Sequence, residues 1–263
     1  MPFTNEISLL NSKFMALLIG KPGTGKTLAG ASFSEAGPME FMDFDGRMKP
    51  VRLHYPKAQI HYTEFNTKNV EEFAYRYIPG LLSRCDFKTV QLAGITSLSN
   101  VLVTYQLRVR QGSNEIGKKN KGGIVVPGWD EYSGEASIIS QVLDALRALP
   151  CNVIVEAHPI QRVDMATSTK YTSIVSFGPK VESVIPAYFD EIWYFTTERS
   201  IDGQLLYIVN TRPTAEFPLA KTSLPLPHRF TLTGSEGQVL SLYELIQNCL
   251  NEYGEMEDQE NMK

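Results

Sequence analysis

Three cysteines are all that the 263 residues contain, at Cys85, Cys151 and Cys249. Their number is odd and no pair has CxxC spacing, which excludes a disulfide framework and a thiolate zinc site and leaves inert thiols of a reducing compartment. Long hydrophobic runs are missing too. No stretch approaches the roughly 20 apolar residues of a membrane helix. The opening MPFTNEISLLNSK lacks the basic-then-apolar order of a secretory signal. A cytoplasmic protein with no membrane partner is expected. An excess of positive charge is also lacking: 25 Lys and Arg against 29 Asp and Glu leave −4. That balance excludes indiscriminate nucleic-acid binding but leaves room for a local basic patch. No internal repeat of solenoid period is present.

The remaining composition, 43% hydrophobic and 21% charged, is that of a globular chain long enough to bury one α/β core. Apolar, β-rich segments recur at 14–20, 39–44, 88–93, 152–157, 191–196 and 204–210. Their length and spacing suit strands buried on both faces and joined by helical crossovers. Asp202-Gly203 between the last two reads as a two-residue hairpin turn, so a mostly parallel sheet should end in an antiparallel extension. Two long connections, 108–130 and 161–179, break the rhythm, and long loops in a compact domain are usually functional. A single domain over 1–250 and an acidic, disordered tail over 251–263 are expected.

The strongest motif follows the first strand: FMALLIG, then KPGTGKT, then LAGASF. Gly20, Gly25, Lys26 and Thr27 fit G-x-x-x-x-G-K-[ST] between a strand and a helix. Backbone amides of Gly20, Pro22-Gly23-Thr24 and Gly25 would cradle phosphate, with proline supplying shape rather than a donor. Lys26 would reach the β/γ-phosphates, and the Thr27 hydroxyl would be a magnesium ligand. ATP and Mg2+ are the expected cofactors.

Four further stretches resemble the RecA-like P-loop ATPases, above all the small phage-encoded recombinase and single-strand annealing members, over roughly 12–222. FMDFDGRMKP resembles the segment that places a general base beside the attacking water, which implies Asp45 in that role, with Asp43 at the strand end. KTVQLAGITSL matches the second magnesium motif except that its aspartate falls on Ala93. NVIVEAHPIQRV resembles the strand that ends in a γ-phosphate sensor, implying His158, with Glu156 two residues earlier on the same face. VNTRPTAEFPLAKTS resembles the segment that lends a basic finger to a neighbouring subunit, implying Lys221 first and Arg212 second.

The resemblance implies an α/β RecA-like P-loop NTPase core that acts on single-stranded DNA in recombination or annealing. It also implies a homo-oligomer, ring or filament, that works beside other recombination proteins such as a single-strand binding protein. The long connections fall where such proteins place DNA-binding loops. Arg108, Arg110, Lys118, Lys119 and Lys121 make the first one basic; Arg162, Lys170 and Tyr171 equip the second with cations and a stacking ring. Trp129 is expected to pack the end of the first loop. Because Ala93 removes a metal-orienting carboxylate, ATP binding with slow or absent turnover is expected. Two origins fit: a natural ATP switch, or an aspartate replaced in an otherwise intact site, which the retained Asp45, His158 and Lys221 favour. A nucleotide-gated module that recruits replication or repair partners, without hydrolysis or DNA contact, is the alternative.

Overall fold

The computed structural model describes residues 13–112, 125–165, 168–175, 182 and 184–261, with backbone alone at 111–112 and 256–261. Among the described residues eight strands form one sheet: β1 (Met15–Gly20), β2 (Met39–Asp43), β3 (Ile60–Glu64), β4 (Thr89–Ala93), β5 (Asn152–Ala157), β8 (Glu191–Arg199), β9 (Leu205–Asn210) and β10 (Arg229–Thr231). Two more, β6 (Pro159–Val163) and β7 (Lys170–Ile174), make a separate antiparallel hairpin. The sheet order is β10-β9-β8-β1-β5-β4-β2-β3. Strands from β8 to β3 are parallel, and β9 and β10 add on antiparallel. This is the mostly parallel sheet with an antiparallel extension that the segment pattern predicts, and it is consistent with the P-loop NTPase core that the resemblance implies.

Every residue of β1, β2 and β4 is buried, because helices cover both faces of the sheet. Met15, Leu17 and Ile19 point to one side, where Val153 and Val155 of β5 join Leu98 and Leu102 of α5 (Ile95–Gly112) and Leu143 of α6 (Trp129–Ala148). Ala16 and Leu18 point to the other side. There they meet Ala29 of α1 (Lys26–Ala31) and Leu242 and Ile246 of the C-terminal helix (Leu242–Asn261). A third cluster joins Val51 of α2 (Met48–His54) to Met39, Phe41 and Ala93. Three short helical pieces, α3 (Val70–Glu72), a π turn (Phe73–Tyr77) and α4 (Ile78–Ser83), pack Phe73, Ile78 and Leu81 on the α5–α6 side. The C-terminal helix is α7.

Four differences from the sequence expectation have local causes. The Ser/Thr-rich connection 161–179 is largely the β6–β7 hairpin, since Thr, Tyr, Ser and Ile at 171–174 suit a half-buried strand. The acidic segment after 250 continues α7 to Asn261 rather than leaving it disordered. A helix already docked through Ile246 and Leu250 gains one hydrogen bond for each residue it adds. The β8–β9 turn is longer than two residues: Ser200 and Gln204 close it by an N–H···O bond of 2.9 Å, with Gly203 at φ 81°. Trp129 does not pack the loop end; it is 86% exposed at the start of α6.

Candidate functional site

The P-loop connects the C-terminal end of β1 to α1, at the place where a parallel sheet presents its strand ends to a ligand. Gly25 caps α1 with φ 89°, a left-handed conformation that a side chain resists, so the turn needs glycine there. Lys26 reaches back across the loop, its Nζ donating to Gly20 O at 2.7 Å and Lys21 O at 3.1 Å. Burial holds the Lys26 pKa below its ordinary value, Glu156 and Asp45 opposing that shift and Arg47 adding to it. A cavity of about 270 Å³ opens beside the loop. Lys26 and Thr27 of the loop line it, together with Asp45, Glu156, His158 and Tyr207.

Asp45 is held by its neighbours. Asp43, fully buried at the end of β2, accepts the backbone N–H groups of Asp45, Gly46 and Arg47 at 2.7–2.8 Å, and this turn sends Asp45 back toward the P-loop. Ser97 Oγ donates to Asp45 Oδ1, and His158 Nε2 stands 3.6 Å from Asp45 Oδ2. Burial pushes the Asp45 carboxyl up, but His158, Ser97 and the Arg47 charge outweigh it and hold it below the usual carboxylate range. An ionised Asp45 facing the P-loop is suited to accept a proton or orient a water.

Glu156 is fully enclosed. Its Oε2 accepts the Thr27 hydroxyl at 2.7 Å and its Oε1 accepts Gln91 Nε2 at 2.7 Å. Burial is the largest influence on its pKa and raises it, against the pull of Lys26, Thr27 and Gln91. The sequence flags Glu156 only as a neighbour of His158, because its contact with Thr27 depends on β5 lying directly beside β1. Arg47, His54 and Tyr207 are cavity residues that sequence reasoning missed. Tyr207 carries no motif; it arrives with the antiparallel extension, and a Cβ on Gly25 would stand 3.4 Å from its ring.

The other sequence-predicted residues distribute as follows. Gly20, Thr24 and Pro22 are P-loop residues, and Pro22 also lines the 270 Å³ cavity. Ala93 is fully buried in the cluster under α2. Lys221 and Arg212 lie away from that cavity: Arg212 Nη1 donates to Thr222 O at 3.2 Å, and Lys221 is exposed beside Ile192. Arg108 donates to Thr67 Oγ1 at 2.8 Å, and Arg110 pairs with Glu131 at 2.6 Å. Arg162 makes a two-point pair with Glu182 at 3.2 and 2.6 Å. Lys170 is exposed and Tyr171 half-buried at the start of β7. Lys118, Lys119 and Lys121 lie outside the described residues. All three cysteines are free, although Cys85 and Cys151 come within 3.6 Å at sulfur.

His158 joins two parts of the molecule. Its ring faces Asp45, while its backbone closes the base of the β6–β7 hairpin: His158 O accepts Val175 N–H at 2.8 Å, and His158 N–H donates to Thr96 Oγ1 at 3.1 Å. A second cavity, of about 760 Å³, lies between the outer side of the P-loop at Gly20–Thr24 and hairpin residues Gln161 and Thr172.

The Thr27 hydroxyl and the carboxylates of Glu156 and Asp45 are hard oxygen groups around one cavity, a donor set that fits magnesium carried in with nucleotide phosphates. Among the described residues no helix is long and apolar enough to cross a membrane. Comparison with known proteins finds a family model described as an AAA domain that matches residues 12–222. No curated protein matches the sequence.

Proposed function

The chain belongs to the AAA domain family, a P-loop ATPase-type family, and we propose that it is an ATP- and magnesium-binding protein acting on single-stranded DNA in recombination or annealing. The proposal extends to a homo-oligomer, ring or filament, whose neighbour completes the ATP site through Lys221 or Arg212, in the manner of the small phage-encoded recombinases. The single observation that carries the DNA reading is the double role of His158. A change at Asp45 on nucleotide binding reaches the ring of His158 at 3.6 Å, and the same residue anchors the hairpin that bears Arg162, Lys170 and Tyr171. The exposed Trp129 supports it further, as a flat apolar ring at the edge of the basic connection can stack on an unpaired base.

Magnesium, when bound with the nucleotide, supplies charge neutralisation at the phosphates. Thr27 would ligate it, Lys26 would pair the phosphates, and Asp45 would orient a water or hold its proton. Position 93 offers no carboxylate, so turnover is expected to be slow.

One specific observation favours a second reading, a nucleotide-gated module for protein partners. Arg108, Arg110 and Arg162 are all engaged within the chain, which removes part of the cationic surface that DNA would use. The deciding experiment is binding of a fluorescent single-stranded oligonucleotide, by anisotropy, with ATP–Mg2+, with ADP–Mg2+ and without nucleotide. Tighter binding with ATP supports the DNA reading. Absent binding in all three conditions, with ATP itself bound, supports the module, and binding that is equal in all three refutes the nucleotide coupling through His158.

A further inference from the structure

A phosphate-loop NTPase ordinarily holds its magnesium between the loop's Ser/Thr hydroxyl and an aspartate at the end of a nearby strand. In this chain that strand end is Ala93, and a carboxylate from another strand meets the loop's hydroxyl instead. Glu156 Oε2 accepts the Thr27 hydroxyl at 2.7 Å. It comes from β5, the strand between β1 and β4, so its carboxylate starts one strand spacing, about 4.8 Å, closer to the P-loop than a residue on β4. Leu18 is its register partner on β1, two residues before the loop begins at Gly20.

The surroundings are shaped for this carboxylate. Gln91 of β4 lies two residues before Ala93 on the same face, and its amide donates to Glu156 Oε1. Gly30 of α1 makes room for that amide: a Cβ there would stand 2.6–2.8 Å from the Gln91 side chain. Ala93 itself faces an apolar cluster with Ala31, Met39 and Phe41. β4 thus presents an apolar residue at position 93 and a neutral hydrogen-bond donor at position 91, and the charge sits one strand nearer the P-loop. Among the described residues Glu156 receives two neutral hydrogen bonds, from Thr27 and Gln91, with Lys26 as the nearby cation. A buried carboxylate so lightly compensated is costly unless another positive charge joins it.

We propose that Glu156 is the magnesium-anchoring carboxylate of this chain, orienting Thr27 and the waters of the nucleotide-bound ion in place of an aspartate at position 93. This rests on the nucleotide-binding reading above. Magnesium is then anchored from β5 instead of β4, and the slow turnover expected above follows from altered placement of the ion rather than from its loss.

The test is the gain in ATP affinity that magnesium confers, read with a fluorescent ATP analogue in Mg2+ and in EDTA, together with Mn2+ binding followed by electron paramagnetic resonance in the presence of nucleotide. In the wild-type chain, Mg2+ tightens nucleotide binding. Glu156→Gln keeps the shape but removes the charge and exchanges one acceptor oxygen for a donor amide, so each form is compared with its own affinity in EDTA. The magnesium-dependent gain should fall by about 10–100-fold, the range for loss of a residue supporting a metal site. The Glu156→Gln/Ala93→Asp double variant should recover part of it, because the two positions are alternative origins for one carboxylate. If thermal melting shows Glu156→Gln unfolded, Glu156→Asp, one methylene shorter, is measured instead and should also lose magnesium gain. An unchanged gain in the folded variant overturns the proposal and leaves nucleotide binding standing. A wild-type chain that binds no nucleotide, with Mg2+ or in EDTA, overturns both.

Discussion

Asp45 lies directly against the backbone of Gly94: a Cβ on that glycine would stand 2.5 Å from Asp45 Oδ1. Gly94 also has φ 94°, so both its backbone conformation and its lack of a side chain are used. Gly94→Ala should therefore lower stability by about 1–3 kcal/mol through left-handed strain alone, measured by urea denaturation. It should also displace Asp45 from Ser97 and His158. If turnover is detectable, it should fall more than nucleotide affinity does, since a small misplacement of a catalytic group can lower the rate about 10²-fold.

Glu131 fastens both ends of the first basic connection. Its Oε1 accepts Arg110 at the end of α5, and its Oε2 accepts the N–H of Gly128 ahead of α6, each at 2.6 Å. Burial alone would raise the Glu131 pKa, but Arg110 and the backbone donors outweigh it and hold the carboxyl below the usual range. A depressed carboxylate stabilises the fold above its unfolded pKa of about 4.3 and loses that contribution as pH falls through the folded value. Glu131→Gln should thus lower stability at pH 7 by about 1–3 kcal/mol. It should also flatten the loss of stability below pH 5, and equal slopes for variant and wild type in acid would contradict the account.

The phosphate loop was legible in the sequence because its chemistry is contiguous: Gly20 to Thr27 carry both the turn and the ligands. The buried strands were legible for the same local reason. Glu156 was not, since its meaning depends on β5 inserting between β1 and β4, and strand order is not written in any one segment. β3 escaped notice because it lies at the sheet edge, with only part of its surface covered. The β6–β7 hairpin escaped because Ser and Thr read as loop when their alternation is not counted. Tyr207 reaches the P-loop from a hairpin more than 180 residues downstream, and no spacing rule connects the two.

Tyr207 makes a distinct prediction about which part of the nucleotide is recognised. Its ring packs against Gly25 and lines the cavity together with Leu232 and Val239. If the base lies on this ring, Tyr207→Ala should weaken ATP by about 1–3 kcal/mol, the range for a lost aromatic–base stack. Binding of inorganic triphosphate should not change. Titration calorimetry with both ligands separates the outcomes, and equal losses would place the ring under the phosphates instead.

The pair Arg162–Glu182 offers a gain-of-function test of the hairpin. Arg162 is held by both oxygens of Glu182, and that contact also keeps Glu182 below its usual pKa, against the effect of burial. Glu182→Gln removes the charge that competes with a DNA phosphate. Single-strand affinity should rise, and the slope of log K against log salt should steepen by about 0.7, the increment for one more phosphate contact on a single strand. The melting temperature should move little, because a partly exposed pair contributes about 0–1 kcal/mol. A variant with unchanged affinity and slope would remove Arg162 from the DNA surface.

Ala93→Asp brings the two magnesium arrangements into direct competition. Position 93 is fully buried and pairs in register with Asp43 on β2, so an added carboxylate would stand beside an existing one with apolar neighbours at Met39 and Phe41. Without a cation, the variant should lose stability by about 1–3 kcal/mol, and thermal melting should show the loss. ATP with Mg2+ should return much of it, because a divalent ion near Thr27 relieves the crowded negative charge, whereas ATP in EDTA should return less. Turnover provides the second reading. If the introduced aspartate and Glu156 can share the ion, hydrolysis should rise above the wild-type rate. If Glu156 already fills the path from β4 to Thr27, the aspartate will be excluded and turnover will not rise until Glu156 is replaced by Gln.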